Sequence, residues 1–406
     1  MNILLINRSD HLGGAAIASL RLMNALNEQS VEARMLVIDS KTSHSSVATV
    51  GSKWHNTYNF LAERLDIIVS NGFNREALFK ADIASHGLDL SGHAWVKWAD
   101  VIILNWVNQG MLSMSSLHKL LALGKPVLWT MHDMWNCTGI CHHAYECRNY
   151  ETTCHSCPLT GKKGKDLSTR VQQAKQKLYE ATNLHFVSVS NWLAQCSKNS
   201  SLMSDSHVTV IGNPFPTSNF SCVYQPGDLG IAPDARVIVM GAARLDDPVK
   251  GFDLMIDAMD YIAREKPELA SRLHLLLYGG LRDMSLLDRI ALPHTHLGYV
   301  ADVRPIYRQA HIVLSTSRYE SFGYTLLEGM ACGCVPVTTG DGGQVDIVKH
   351  LVNGYVTGGK DPTSIAAGIE WAANCSLSRE TLHEWVSVHF DSAIIARQYI
   401  ELIKSL

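Results

Sequence analysis

Two glutamates with seven residues between them, Glu320 and Glu328, are the first groups in this sequence whose spacing suggests chemistry. Carboxylates at a helix start also complement the helix dipole, so that plain role stands beside any functional one. A hydrolytic pair fits poorly. If both residues were helical, eight steps of ~1.5 Å would put them ~12 Å apart, whereas hydrolytic carboxylates sit roughly 5–9.5 Å apart. The spacing suits two grips on one extended ligand. Upstream, Arg244 and Lys250 bring two cations to one turn, which as an isolated feature reads as loop surface charge. A third cluster is sulfur: five of the ten cysteines (Cys137, Cys141, Cys147, Cys154, Cys157) fall within 21 residues, with His142, His143 and His155 among them. Cys154-x2-Cys157 before a proline presents two thiolates to one ion, and Cys141 and Cys147 can complete a tetrahedral zinc site. The C-x5-C-x6-C-x2-C spacing is not a common zinc-finger one, so unliganded thiols or a disulfide stay open.

Positioning the glutamates requires a strand (residues 311–315), an acidic turn, a helix (322–331), a strand (335–338) and a glycine turn (340–343). That order sets polar groups at the carboxyl edge of a parallel sheet, where open α/β folds bind ligands. Strand-like runs at 3–7, 31–39, 100–106, 126–130, 185–189 and 208–211 alternate with helical stretches, as do runs at 236–244, 273–278 and 295–300. The pattern predicts α/β domains with doubly wound parallel sheets. Gly13 and Gly14 open the first helix in a turn that lets a ligand approach the backbone. The turn lacks G-x-G-x-x-G, so a dinucleotide site is poorly supported and a tight βα turn is the plain alternative. His132 ends a strand and is either a satisfied cap or a hydrogen-bond donor to a ligand. Residues 212–216 break regular structure, and helices are expected at 363–373 and 379–406. The expected division is 1–215 with a cysteine-rich insertion at about 137–158, then 216–385, then a helix at 386–406 crossing back to the first domain.

A chain of 406 residues with 46% hydrophobic and 18% charged residues is globular and long enough for two domains. A net charge of −3 offers nucleic acid no bulk attraction. The N-terminus reads as a strand rather than a signal peptide, and no apolar run reaches the ~18–20 residues of a membrane span. A cytoplasmic location with reduced or metal-bound thiols follows as an expectation. Residues 161–177 carry Lys162, Lys163, Lys165, Lys175, Lys177 and Arg170. They form a solvated face or else a patch for anionic lipid head groups or a lipid-diphosphate acceptor, giving peripheral contact with the inner membrane surface.

The stretch from Arg318 to Asp346 resembles the E-x7-E signature of the retaining, GT-B-fold "group 1" glycosyltransferases. Phe322-Gly323, Glu328, Gly329-Met330-Ala331, Cys334-Val335-Pro336 and the double glycine stand in the family's order. The resemblance implies two Rossmann-like domains facing across a cleft, with a nucleotide-diphosphate sugar as donor and a glycan or lipid-linked sugar as acceptor. It implies that Glu320 contacts the donor sugar, that the backbone of Gly323, Tyr324, Thr325 and Leu326 after Phe322 contacts the diphosphate, and that Glu328 contacts the ribose. Arg244 and Lys250 resemble the family's R-x(n)-K-G element, which neutralises the diphosphate with a bidentate guanidinium and a point-charge ammonium. Gly13 and Gly14 match its glycine pair at the cleft, and Gly298-Tyr299 its segment beside the base. Thr130 to Trp135 (T-x-H-D-x-W) is similar to polysaccharide-assembly members, in which the matching histidine, here His132, contacts the donor sugar. Some relatives carry a like cysteine insertion. The implied activity is retaining transfer in exopolysaccharide, capsule or lipopolysaccharide assembly. No D-x-D motif stands in a suitable loop, so no catalytic metal is expected, and structural zinc rests on the cysteine spacing alone. An epimerase of the same fold and a non-catalytic nucleotide-sugar-binding protein are the alternatives. Two departures, Asn105 before Trp106 and the 341–346 turn, bear on donor and acceptor identity.

Overall fold

The computed structural model describes residues 1–75, 77–227 and 229–406. The chain divides into two compact units: Met1–Pro214 with Ser392–Leu406, and Phe215–Asp391. In unit 1 a seven-stranded sheet comprises β1 (Asn2–Ile6), β2 (Glu32–Val37), β3 (Val47–Thr49), β4 (Val101–Leu104), β5 (Val127–Met131), β6 (Leu184–Ser188) and β7 (Val208–Val210). All pairings are parallel, in the order β3-β2-β1-β4-β5-β6-β7. The chain winds outward from β1, returns to β4 and then winds the other way. The reversal lies between β1 and β4, whose carboxyl ends are the natural ligand crevice of such a sheet.

Continuous apolar strands, as in β1 and β4, are what a sheet covered on both faces demands. One cover is the Gly14–Glu28 helix, whose Leu22, Met23 and Leu26 pack with Ile395, Ala396 and Tyr399 of the Ser392–Ser405 helix. Tyr399 also shares a 2.9 Å hydroxyl hydrogen bond with Thr130, at the end of β5. The helix expected over 379–406 is in fact two, Arg379–Phe390 and Ser392–Ser405. Asp391 between them is extended (φ −55°, ψ 140°), and there the chain passes from one unit to the other. Both halves are amphipathic, so periodicity does not register the break.

Unit 2 holds six parallel strands: β8 (Arg236–Arg244), β9 (Leu273–Gly280), β10 (His294–His296), β11 (Ile312–Ser315), β12 (Val335–Thr338) and β13 (Tyr355–Val356). Their order, β10-β9-β8-β11-β12-β13, puts the reversal between β8 and β11. The Phe252–Glu265 helix buries Phe252, Met255, Ile256, Met259 and Ile262 at helical spacing. The Tyr324–Ala331 helix lies close on β11, because a Cβ at Gly329 would stand 2.5 Å from the Val313 Cβ. Among the described residues no helix is long and apolar enough to cross a membrane.

Candidate functional site

The reversal between β8 and β11 gathers the predicted polar groups of unit 2. Lys250 leaves the turn after β8, and Glu320 leaves the turn after β11. Lys250 Nζ donates to Glu320 Oε2 at 2.8 Å, with side chains 35% and 21% exposed. The Glu320 charge raises the Lys250 pKa, with burial opposing it, so Lys250 is a cation throughout the physiological range. Both turns are pinned by glycine. Gly251 has φ 64° and would drive a Cβ to 2.1 Å from Thr316 O, while the Thr316 hydroxyl donates to Gly251 O at 2.8 Å. Gly342 has φ 114°, and its Cβ would meet Glu320 O at 2.2 Å; Gly343 N donates to that same oxygen at 2.7 Å. The double-glycine turn therefore braces the backbone of Glu320.

Arg244 ends β8 beside a bulge and pairs with Asp246 at 3.1 Å and with Asp247 at 3.7 Å. The sequence reading missed these carboxylates as resting partners, although R-L-D-D is legible as an arginine with acids two and three residues on. Gly323 (φ 116°) begins the Tyr324–Ala331 helix, so the first N–H groups, those of Tyr324 and Thr325, lie at its amino end. Leu326 N is committed to Gly323 O at 3.1 Å. Phe322 is a packing residue, its ring buried against Tyr324 and Phe390, so only its backbone is on offer. Glu328 bears electrostatically on Tyr278 of β9 and on Tyr307: burial raises both phenols and the glutamate charge adds to it. Gly298 (φ 65°) lies beyond β10 and accepts from Gly279 N at 2.6 Å, and Tyr299 is 85% exposed.

Unit 1 offers a second polar edge at its own reversal. Asn7 Oδ1 accepts from Trp106 N at 2.8 Å and joins the ends of β1 and β4. Gly13 and Gly14 have nothing within 4 Å of a built Cβ, so the turn leaves open space. Asp10 is structural: burial pushes its pKa up, but bonds from Ser40, Lys41, His11 and Thr42 outweigh that and hold it at about 2. His132 Nε2 lies 3.1 Å from Asn105 Oδ1. Burial, against the pull of Asp133, lowers its pKa to about 4, so the ring is neutral.

This has a measurable consequence. A histidine depressed from 6.5 to about 4 contributes stability present above pH 6.5 that is lost as pH falls through 4. Between pH 6.5 and 4.5 wild type should lose about 2–3 kcal/mol more than His132→Asn. Denaturant unfolding at the two pH values checks this, and equal losses contradict it.

Beside His132 runs a buried ionic chain that sequence reading missed. Asp133 accepts from Trp106 Nε1 at 2.9 Å and from His142 Nδ1 at 2.8 Å, and His142 Nε2 reaches Asp82 at 2.7 Å. Arg64 bonds Asp82 and pairs with Glu63 at 3.3 Å. Burial opposes charge on His142, but its two carboxylates outweigh that and hold it up to about 10. Burial and the charge of Asp82 raise Glu63 to about 7. The five members lie up to 79 positions apart, so no local signal joined them.

The lysine-rich stretch needs one correction. Lys162, Lys163, Lys165, Lys177 and Arg170 are exposed, but Lys175 is fully buried against the Trp135 ring, 3.4 Å from its centroid. It lies on the core face of the Leu167–Leu178 helix, which a count of charges cannot distinguish from the outer face.

Residues 228–386 match the family described as glycosyl transferases group 1. Among curated proteins, D-inositol 3-phosphate glycosyltransferase of Geodermatophilus obscurus is 31% identical over 169 residues, covering 36% of each chain. Mannosylfructose-phosphate synthase of Agrobacterium fabrum is 37% identical over 119 residues, covering 25% of each. The matched stretch thus spans only 36% and 25% of the length of these two relatives. Among solved structures, Anabaena Alr3699/HepE in complex with UDP and glucose superposes with a TM-score of 0.61 at 18% identity, over 100% of both chains. Sucrose-phosphate synthase of Thermosynechococcus elongatus gives 0.66 at 16% identity, over 100% of this chain and 98% of that one. At such identities the likeness establishes the fold. Residues 228–386 thus carry the match to the group 1 glycosyl transferases, and the fold of the chain is GT-B.

Proposed function

We propose that the protein transfers a sugar from a nucleoside-diphosphate sugar to an acceptor hydroxyl with retention at the anomeric carbon. The observation that carries this reading is the Lys250–Glu320 contact at 2.8 Å, set where β8 and β11 diverge. A cation and a carboxylate meet there beside a helix amino end, as a diphosphate and its sugar require. The Anabaena neighbour, solved with UDP and with UDP-glucose, supports a donor of that class.

In this reading Lys250 and Arg244 carry the diphosphate charge, the Gly323–Thr325 backbone faces the phosphates, and Glu328 holds the ribose. Glu320 faces the sugar. Gly298 and Tyr299 flank the base. Gly13, Gly14, Asn105 and neutral His132 of unit 1 are assigned to sugar recognition. Among the described residues, this reading assigns no side chain as a covalent nucleophile. The C1–phosphate oxygen bond breaks as the C1–acceptor oxygen bond forms on the same face, and the acceptor proton passes to the departing diphosphate. Catalysis is then positioning plus charge stabilisation of the leaving group, and the two cations supply the latter without a catalytic metal.

We place the reaction in glycan assembly on the cytoplasmic side, with a glycan or lipid-linked sugar as acceptor. The exposed Lys162, Lys163 and Lys165 give a peripheral attraction to anionic head groups.

The test is incubation with a panel of nucleotide sugars and bacterial glycan acceptors, with NMR reading both released nucleoside diphosphate and the new anomeric configuration. Acceptor-dependent release with a retained anomer is expected. An isomerised nucleotide sugar without acceptor points to an epimerase, and binding without turnover points to a binding protein; either overturns the proposal.

A further inference from the structure

We propose that the cysteine loop of unit 1 is a structural zinc site whose ligands are Cys141, Cys147, Cys154 and Cys157. All four thiols line one small cavity, walled also by Gly139 and Tyr150. All four are free, with no disulfide among them. Cys137, the fifth cysteine of the cluster, lies outside the cavity and donates to Met134 O at 3.2 Å.

The loop is built to aim these sulfurs. Ser156, between Cys154 and Cys157, takes the left-handed φ of 46°, and its N–H bonds Gly164 O at 2.9 Å. That turn brings both thiols of the pair to the cavity. Cys157 N donates to Asp166 Oδ2 at 2.7 Å, Cys154 N to Gln172 Oε1 at 2.7 Å, and Thr169 Oγ1 to Cys154 O at 2.6 Å. The pair is thereby fixed to the amino end of the Leu167–Leu178 helix. Gly139 admits Cys154, because its built Cβ would lie 3.2 Å from the Cys154 sulfur.

Buried Lys175 lies beside the loop. Its side-chain nitrogen donates to two neutral carbonyls, Trp135 O and Thr138 O. Four thiolates on Zn²⁺ leave a net charge of −2 in the loop, and a buried cation beside them is then compensated. Among the described residues, no group of three or more histidine, cysteine, aspartate or glutamate side chains already meets at metal-ligand spacing. The four thiols line one cavity, and binding of the ion would draw their sulfurs inward to the ~2.3 Å of a zinc–sulfur bond.

Elemental analysis of the full chain, purified without chelator, is expected to give about one zinc per chain. Cys154→Ser and Cys157→Ser should each lower it at least about fivefold and lower the thermal midpoint, while Cys137→Ser retains the metal. Should the serine variants not fold, titrating wild type with a mercurial thiol reagent settles the point, since zinc should leave as four thiols react. Absence of zinc, zinc retained in both variants, or four thiols reacting without metal release overturns the proposal.

Discussion

Lys250→Ala is expected to lower kcat by roughly 10²–10³, the size of effect seen when one preorganised stabiliser of developing charge is removed. The ammonium sits 2.8 Å from Glu320 at the divergence of β8 and β11, and the carboxylate raises its pKa, so it is charged when the diphosphate departs. The Lys250 side chain is 35% exposed, so its loss leaves Glu320 with access to water and costs the fold little. A fall in kcat with an unchanged unfolding midpoint is therefore the expected pair of results. Lys250→Arg should recover part of the rate, since charge is restored with different geometry. Wild-type turnover in the alanine variant contradicts the assignment.

Arg64→Ala should destabilise unit 1 by about 3–5 kcal/mol, because it strands buried charge. Arg64 is 5% exposed and donates to Leu78 O at 2.7 Å, to Ala81 O at 3.1 Å and to Asp82. Asp82 and Glu63 are both fully buried, so the deletion leaves their carboxylates without the guanidinium and away from bulk water. At ~2–4 °C per kcal/mol, the thermal midpoint should fall by roughly 6–20 °C. Arg64→Lys should rescue little, as one ammonium cannot reproduce a planar fork reaching three acceptors. The exposed pair Lys119–Asp89, at 2.7 Å with side chains 58% and 42% exposed, is the control. Lys119→Ala should cost no more than ~1 kcal/mol. Equal effects for the two arginine and lysine deletions contradict the buried-chain account.

The sequence made the two parallel sheets legible because buried strands such as Ile3–Ile6 and Val101–Leu104 are unbroken apolar runs ending in polar residues. Edge strands escaped it. Val47–Thr49 and Tyr355–Val356 span three and two residues and are mostly half-buried, too short to show a period. The Glu320, Gly323 and Glu328 turn was readable because its glycines are forced by backbone angles that side chains resist. The Arg64–Asp82–His142–Asp133 chain was not, since each member is an ordinary polar residue until folding brings them together. Lys175 failed for the opposite reason: composition placed it on a surface, while one helix face decides its burial.

The central claim is that the edge of unit 2 grips a nucleoside-diphosphate sugar, with Glu328 on the ribose and Glu320 on the transferred sugar. Calorimetric titration of uridine and guanosine diphosphate into wild type, Glu320→Ala and Glu328→Ala tests it directly. Charged hydrogen bonds to the ribose hydroxyls are worth roughly 1.5–3 kcal/mol each, so Glu328→Ala should weaken binding at least about tenfold. Glu320→Ala removes no contact to the free nucleotide and releases Lys250 from its ion pair, so affinity should match or slightly exceed wild type. If both variants bind as wild type does, the two glutamates are structural caps and the account of the site is wrong.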